Sequence, residues 1–341
     1  MTDQPTASFA EMRAILGRLP GPDIGARTKV ALRQAELTKP AGSLGRLEEL
    51  AEWLASWQGH GNPRCAHPRV AVFAGAHGVA ARGVSAFPAS VNKQMVANFV
   101  AGGAAINQLT SLIDGDLRVY EMDLDRPVGD FTAGPAMDEA RCAQAMAYGM
   151  MAAETGIDVL CLGEMGIGNT TSAAALCLAL FGGTAGDWVG PGTGVAGEAL
   201  ARKIETVRLG VERHADAAGD PLRILAALGG EELAAIGGAI VAARMGRIPV
   251  LLDGYAATAA AAVLHVIDPA ALDHCMVAHR SAEPAHGRLC ERLGKRPLLD
   301  LDMRLGEASG AALAVFLLKA ACACLDGMAT FESAGVGGRG A

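Results

Sequence analysis

The 341-residue chain is poor in aromatic side chains, which make up 4% of it, and it contains no block of basic residues. A core built on Phe, Tyr and Trp is excluded. With a net charge of −7, so is the electrostatic footprint of a nucleic-acid or anionic-membrane partner. The N-terminal stretch MTDQPTASFAEMRAILGRLP lacks the basic-then-apolar order of a signal peptide. The longest apolar runs, such as Ala308 to Leu318, fall short of the roughly 20 residues that span a bilayer. Together these absences predict a cytoplasmic protein that handles small molecules. Cysteines stand at 65, 142, 161, 177, 275, 290, 322 and 324, but no two form a C-x-x-C. In a large, Ala-rich chain they read as buried free thiols rather than disulfides. The eight histidines show no H-x-x-x-H spacing, so neither a metal site nor a cofactor is expected.

Small residues are abundant. Forty-four glycines, a high alanine content and a 51% apolar composition point to closely packed helices around a sizeable core. Short apolar runs recur at "RVAVFAGAHG" from 69, "LRVYEMDLD" from 117, "DVLCLGEMGIGN" from 158, "IPVLLDGYAA" from 248, "CMVAHRSAEP" from 275 and "RPLLDLDMRLGE" from 296. Helical stretches such as 89–113 and 232–246 separate them, and this alternation predicts an α/β fold. Its core is a mainly parallel, Rossmann-like sheet with helices on both faces. Residues 1–64 and 308–341 read as helical and are expected to pair as a smaller lobe beside an α/β domain at 65–307. The last nine residues, SAGVGGRGA, read as a Gly-rich, frayed tail.

In open parallel sheets ligands bind beyond the C-terminal ends of the strands, so the chemistry is sought there. "GEMGIGNTTSAAALCLAL" carries Gly166 and Gly168 before Asn169, Thr170 and Thr171, residue types that cap a helix. The stretch reads equally as a phosphate cradle or as a plain capped turn; it is neither a P-loop nor a G-x-G-x-x-G fingerprint. "WVGPGTGVAGEALARKIETV" offers a second glycine-rich turn at Gly190, Gly192, Thr193 and Gly194, leading into a helix with Lys203. Together the two turns suggest a phosphorylated small molecule. Phe87 and Met95 read either as core or as the wall of a flat apolar pocket. Asp253, Ser281 and Glu283 read as helix caps or ligand contacts. Glu307, isolated in "MRLGEASGAALA", is either a first-turn glutamate favoured by the helix dipole or a desolvated base with a raised pKa.

"KPAGSLGRLEELA" (39–51), "GEMGIGNTT" (163–171), "LLDGY" (251–255) and "MRLGEASGAALA" (303–314) resemble, in order along the chain, the motifs of the nicotinate-nucleotide:dimethylbenzimidazole phosphoribosyltransferases. The resemblance implies transfer of a phosphoribosyl group from nicotinate mononucleotide to 5,6-dimethylbenzimidazole with inversion, in the nucleotide-loop branch of cobalamin biosynthesis. It implies an α/β sheet domain with a small helical lobe and a homodimer. It makes Glu307 the general base, Glu164 a second acid near the reacting centre and Lys203 a phosphate helper. Leu305, Gly306, Ser309 and Gly310 around the base join the expected binding residues, as do Gly166 to Thr171, Gly192 to Gly194, Ser281, Phe87 and Met95. A non-catalytic nucleotide binder on the same fold and a transferase using another aromatic acceptor stay open.

Overall fold

The computed structural model describes residues 7–337. Five strands, β1 (Pro68–Ala74), β2 (Asp116–Glu121), β3 (Val159–Met165), β4 (Val250–Leu252) and β5 (Cys275–Val277), form one sheet in the order β2-β1-β3-β4-β5. Every pairing is parallel. The chain reverses its direction of winding between β1 and β3, the kind of switch point at which open α/β sheets bind ligands.

Side chains alternate across the pleat and divide the core in two. Ala71, Phe73, Leu160, Leu162, Val250 and Leu252 meet the helices Glu139–Met150, Asn169–Phe181, Pro221–Leu228, Glu231–Met245 and Tyr255–Ile267. Val70, Val72, Val159, Cys161 and Leu251 meet Ile24–Glu36, Arg46–Gln58, Ala105–Leu112 and Ser309–Gly327. The first helix, Phe9–Leu16, joins the former cluster. The edge strand β2 alone in this sheet has exposed positions along its length.

The scarcity of aromatics has its counterpart in backbone-to-backbone packing. A Cβ on Gly149 would strike the Ala235 carbonyl, and one on Gly238 would strike that of Met146. The helices Glu139–Met150 and Glu231–Met245 therefore touch through bare Cα atoms, and nearly all of the second is buried. All eight cysteines are unpaired, and only Cys324 is partly exposed.

Several expectations need correction. The stretch 89–113 forms two helices, Val91–Val100 and Ala105–Leu112, because Gly102 turns left-handed (φ 79°) between them. The run from 275 splits: β5 ends at Val277, and β6 (His279–Arg280) pairs with β7 (Leu299–Asp300) in a separate two-stranded ribbon. The run from 296 is a strand only at β7. From 301 it leaves the ribbon, with Asp302 at φ 54°, and Arg304 Nη1 donates to Gly192 O at 2.7 Å. The helix Ser309–Gly327, mean hydropathy 1.7 over its apolar window, is long and apolar enough by length and composition to cross a membrane, yet half of that window is buried inside the fold. The N-terminal expectation for residues 1–6, and that for the last four residues of the tail, lie outside the described residues.

Candidate active site

A cavity of about 420 Å³ opens at the C-terminal rim of the sheet, within the range of small-ligand sites. Most of the segments that line it follow a strand. Phe87, Val91 and Met95 come from the segment after β1, Glu164 to Ile167 from β3 and its loop, and Asn169 and Thr170 from the start of the helix that follows. Gly254 and Tyr255 follow β4, His279, Ser281 and Glu283 come from β6 and beyond, and Arg304 to Glu307 follow β7. Gly192 and Thr193 add the second glycine-rich turn.

Glu307 does not stand on a helix. The helix begins at Ser309 with Ala308 as its N-cap, and Gly306, Glu307 and Ala308 have φ of 83°, 63° and 63°. For Glu and Ala this left-handed backbone costs roughly 1–2 kcal/mol each, so the surroundings must impose it. They do so at three points. Gly163 in β3 leaves room where a Cβ would collide with the Ala308 backbone nitrogen. Glu307 N donates to Glu164 O at 3.0 Å, extending the strand's hydrogen bonding into the turn. Ser309 Oγ donates to Gly306 O at 2.7 Å. The carboxyl so placed is buried, and burial lifts it to about 7, the direction expected for a desolvated base.

Two more acids stand close by, Glu164 in the cavity wall and Asp253 behind it. Burial lifts Glu164 to about 8, helped by the negative charge of Glu232, Asp253 and Glu307; Asn169 Nδ2 donates to it and acts the other way. Burial lifts Asp253 to about 7, although its Oδ1 accepts from Gly310 N at 2.7 Å and Ala311 N at 3.0 Å. Behind the wall, His77 links Glu232 (2.6 Å) to Ser172 (3.1 Å) in a fully buried chain.

The helix Asn169–Phe181 is capped by Gly168 (φ 99°), and Asn169 to Thr171 occupy its first turn rather than the cap. The second glycine-rich turn lies against this one. Lys203 Nζ, fully buried, donates to Thr170 Oγ1 at 2.8 Å and to Gly190 O at 2.9 Å. Burial lowers it to about 8, opposed by the charge of Glu283. Glu283 Oε1 accepts from Gly192 N at 2.8 Å. Thr193 Oγ1 reaches across the mouth, accepting from Ala86 N at 2.9 Å and bonding Ser85 Oγ at 2.9 Å, and so ties the turn to the segment that carries Phe87.

Of the expected site residues, the cavity wall holds Glu307, Glu164, Gly166, Asn169, Thr170, Gly192, Thr193, Ser281, Phe87, Met95, Leu305 and Gly306. Lys203, Gly168, Thr171, Gly194, Ser309 and Gly310 are not among its lining residues. Lys203 stands behind the wall bracing both turns, and Gly310 packs against the His279 ring. Asp253 caps the start of a helix distant in sequence rather than the one that follows it. Arg304, His279 and Tyr255 were missed. Arg304 lies three residues before Glu307 in the same motif and is the one Lys or Arg among the lining residues, which was the available signal.

A parallel sheet of this order, with a ligand-sized cavity at its C-terminal rim, is of the doubly wound α/β class that binds nucleotides and other small ligands at that edge. A family model described as phosphoribosyltransferase matches residues 19–336. Two curated proteins named nicotinate-nucleotide–dimethylbenzimidazole phosphoribosyltransferase are near relatives. That of Brucella anthropi is 57% identical over 330 residues, 97% of this chain and 97% of that protein. That of Brucella canis is 58% identical over 328 residues, 96% and 97% of the two chains. The crystal structure of CobT from Thermus thermophilus superposes with a TM-score of 0.86 at 41% identity, covering 93% of this chain and 100% of that one. The chain belongs to the nicotinate-nucleotide:dimethylbenzimidazole phosphoribosyltransferase family.

Proposed function

We propose that the cavity binds nicotinate mononucleotide and 5,6-dimethylbenzimidazole and joins the phosphoribosyl group to the base with inversion, giving α-ribazole 5′-phosphate and nicotinate. The observation that carries this reading is the buried Glu307 carboxyl, which titrates near neutrality and faces a cavity walled by Phe87 and Met95. One benzimidazole nitrogen attacks C1′ of the ribose as the C1′–N bond to the pyridinium breaks, and that electron pair neutralises the leaving ring. The other benzimidazole nitrogen becomes acidic, and its proton passes to Glu307. The leaving ring is cationic before departure, so no acid is needed to expel it.

Glu164 belongs beside the cationic centre. A pyridinium ring arriving beside Glu164 favours its ionised form. Holding two flat rings on opposite sides of C1′ supplies much of the acceleration. The turns at 166–171 and 192–194, Ser281, and the residues 305, 306, 309 and 310 form or back the binding surface. Lys203 places a cation under the phosphate end while fixing Thr170 and Gly190. No cofactor is called for. The same reading carries a homodimer, supported by exposed apolar side chains such as Phe316 and Leu112. It also carries a cytoplasmic location, supported by the unpaired cysteines, and the division into 1–64, 65–307 and 308–341.

The test is to mix the purified protein with nicotinate mononucleotide and dimethylbenzimidazole without added metal, and to follow nicotinate release and the anomer formed. Release with an α product is expected. Binding without turnover, or a β product, overturns the reading.

A further inference from the structure

Glu307 owes its position to more than the glycine gap at Gly163. Its turn is left-handed at residues that resist such backbone, and such a turn persists only where the structure on both sides fixes it. On the upstream side the Glu307 N–H is held by Glu164 O. On the downstream side the first free N–H groups of the helix Ser309–Gly327 need an acceptor, and Ala308, the N-cap, has no side chain to provide one. That acceptor comes from another part of the chain. Asp253, 1% exposed and at the end of β4, takes both Gly310 N and Ala311 N on its single oxygen Oδ1.

We propose that Asp253 is the positioning residue for Glu307: by holding the first turn of the helix Ser309–Gly327 against the end of β4, it fixes the left-handed turn that aims the Glu307 carboxyl into the cavity. It does so as a hydrogen-bond acceptor rather than as a charge. Its second oxygen, Oδ2, is buried and has no hydrogen-bond partner among the described residues, and His279 Nε2 is 3.6 Å from Oδ1, beyond hydrogen-bond reach. Asp253 is not among the cavity's lining residues, so it acts on the substrates through its neighbours: through the backbone turn that carries Glu307, and through its charge on Glu164.

The proposal rests on the reading of Glu307 as base, and the test separates the two. Asp253→Asn keeps an acceptor oxygen facing both N–H groups, whereas Asp253→Ala removes it. Steady-state turnover is expected to fall about 100-fold in Asp253→Ala with KM for nicotinate mononucleotide little changed, and to return to within about tenfold of the parent protein in Asp253→Asn. In parallel, amide exchange at Gly310 and Ala311 is expected to quicken at least tenfold in the Ala variant and to stay slow in the Asn variant. A folded Ala variant that turns over like the parent overturns the proposal. So does an Asn variant as slow as Glu307→Gln, because charge would then be what matters. If the Ala variant does not fold, the Asn arm decides alone. If the parent protein releases no nicotinate, the catalytic reading falls, and the exchange comparison still judges the tether.

Discussion

Two glycine contacts on opposite faces of the sheet use the same missing atom for different ends. At Gly149 and Gly238 the backbones of two helices meet, both relaxed and internally hydrogen-bonded, so the absent Cβ serves packing alone. At Gly163 the strand meets the Gly306–Ala308 turn, which is left-handed and carries the candidate base. A lost methyl that permits dense packing and one that permits a strained turn should respond differently to being restored. The first should register in stability, the second in turnover.

The largest expected effect lies at the turn itself. Glu307→Gln should lower turnover about a thousandfold, the span of a lost general base, with little change in KM for the nucleotide; steady-state kinetics decide it. Gly163→Ala comes next. Turnover should fall about 100-fold as the turn gives way by about an ångström to clear a Cβ that would strike the Ala308 nitrogen, with a drop in melting temperature beside it. Gly238→Ala should do the reverse: a loss of about 2–3 kcal/mol from overpacking, read as a melting point lower by several degrees, with turnover within about twofold of the parent. If Gly163→Ala lowers stability alone and Gly238→Ala lowers turnover, the comparison collapses.

The difference also has a pH signature. Glu164, Asp253 and Glu307 hold protons in the folded state up to about 8, 7 and 7, whereas the unfolded chain releases them near ordinary carboxyl values. Between those limits these three acids bind more protons in the native state, so their contribution to stability falls as pH rises from about 4 to about 8. Buried His274 and His286, held down to about 3, oppose the trend below the ordinary histidine range, so the net fall is concentrated above it. Melting should therefore come earlier at pH 8 than at pH 5, and Glu164→Gln should narrow the gap. Over the same interval kcat/KM should climb through about 7 as Glu307 ionises. The helix pair enters the stability trend through Glu232, whose charge helps to raise Glu164. The smallest effect belongs to the mouth: Thr193→Val, which severs the link to Ser85 and Ala86, should raise KM for the aromatic base about threefold and leave the Gly238 face untouched.

Much of this was legible in the chain. The strands β1 to β5 lie in the short apolar runs that end in Gly, Asp, Glu or His, and the βα rim follows from the parallel order. The isolation of Glu307 among small residues marked it as desolvated, and its pKa is raised as that reading requires. What the chain conceals is set by distant partners. Nothing near Glu307 tells that its φ is positive, because its turn packs against Gly163 in β3 and is joined to Asp253 just past β4, both distant in sequence. The run from 275 looks continuous, yet its second half finds β7 rather than β4. Lys203 sits on a helix of high amphipathicity, and only the fold shows that it faces inward beneath Gly190.

The eight unpaired cysteines, seven of them buried and one partly exposed, give the chain a built-in counter of its own opening. In the native state a thiol reagent should consume one equivalent per chain at Cys324, and every further equivalent should report a breathing event in a known layer of the molecule. Cys142 and Cys177 would count openings on the face that holds the helix pair, and Cys322 would count them on the face that holds the base.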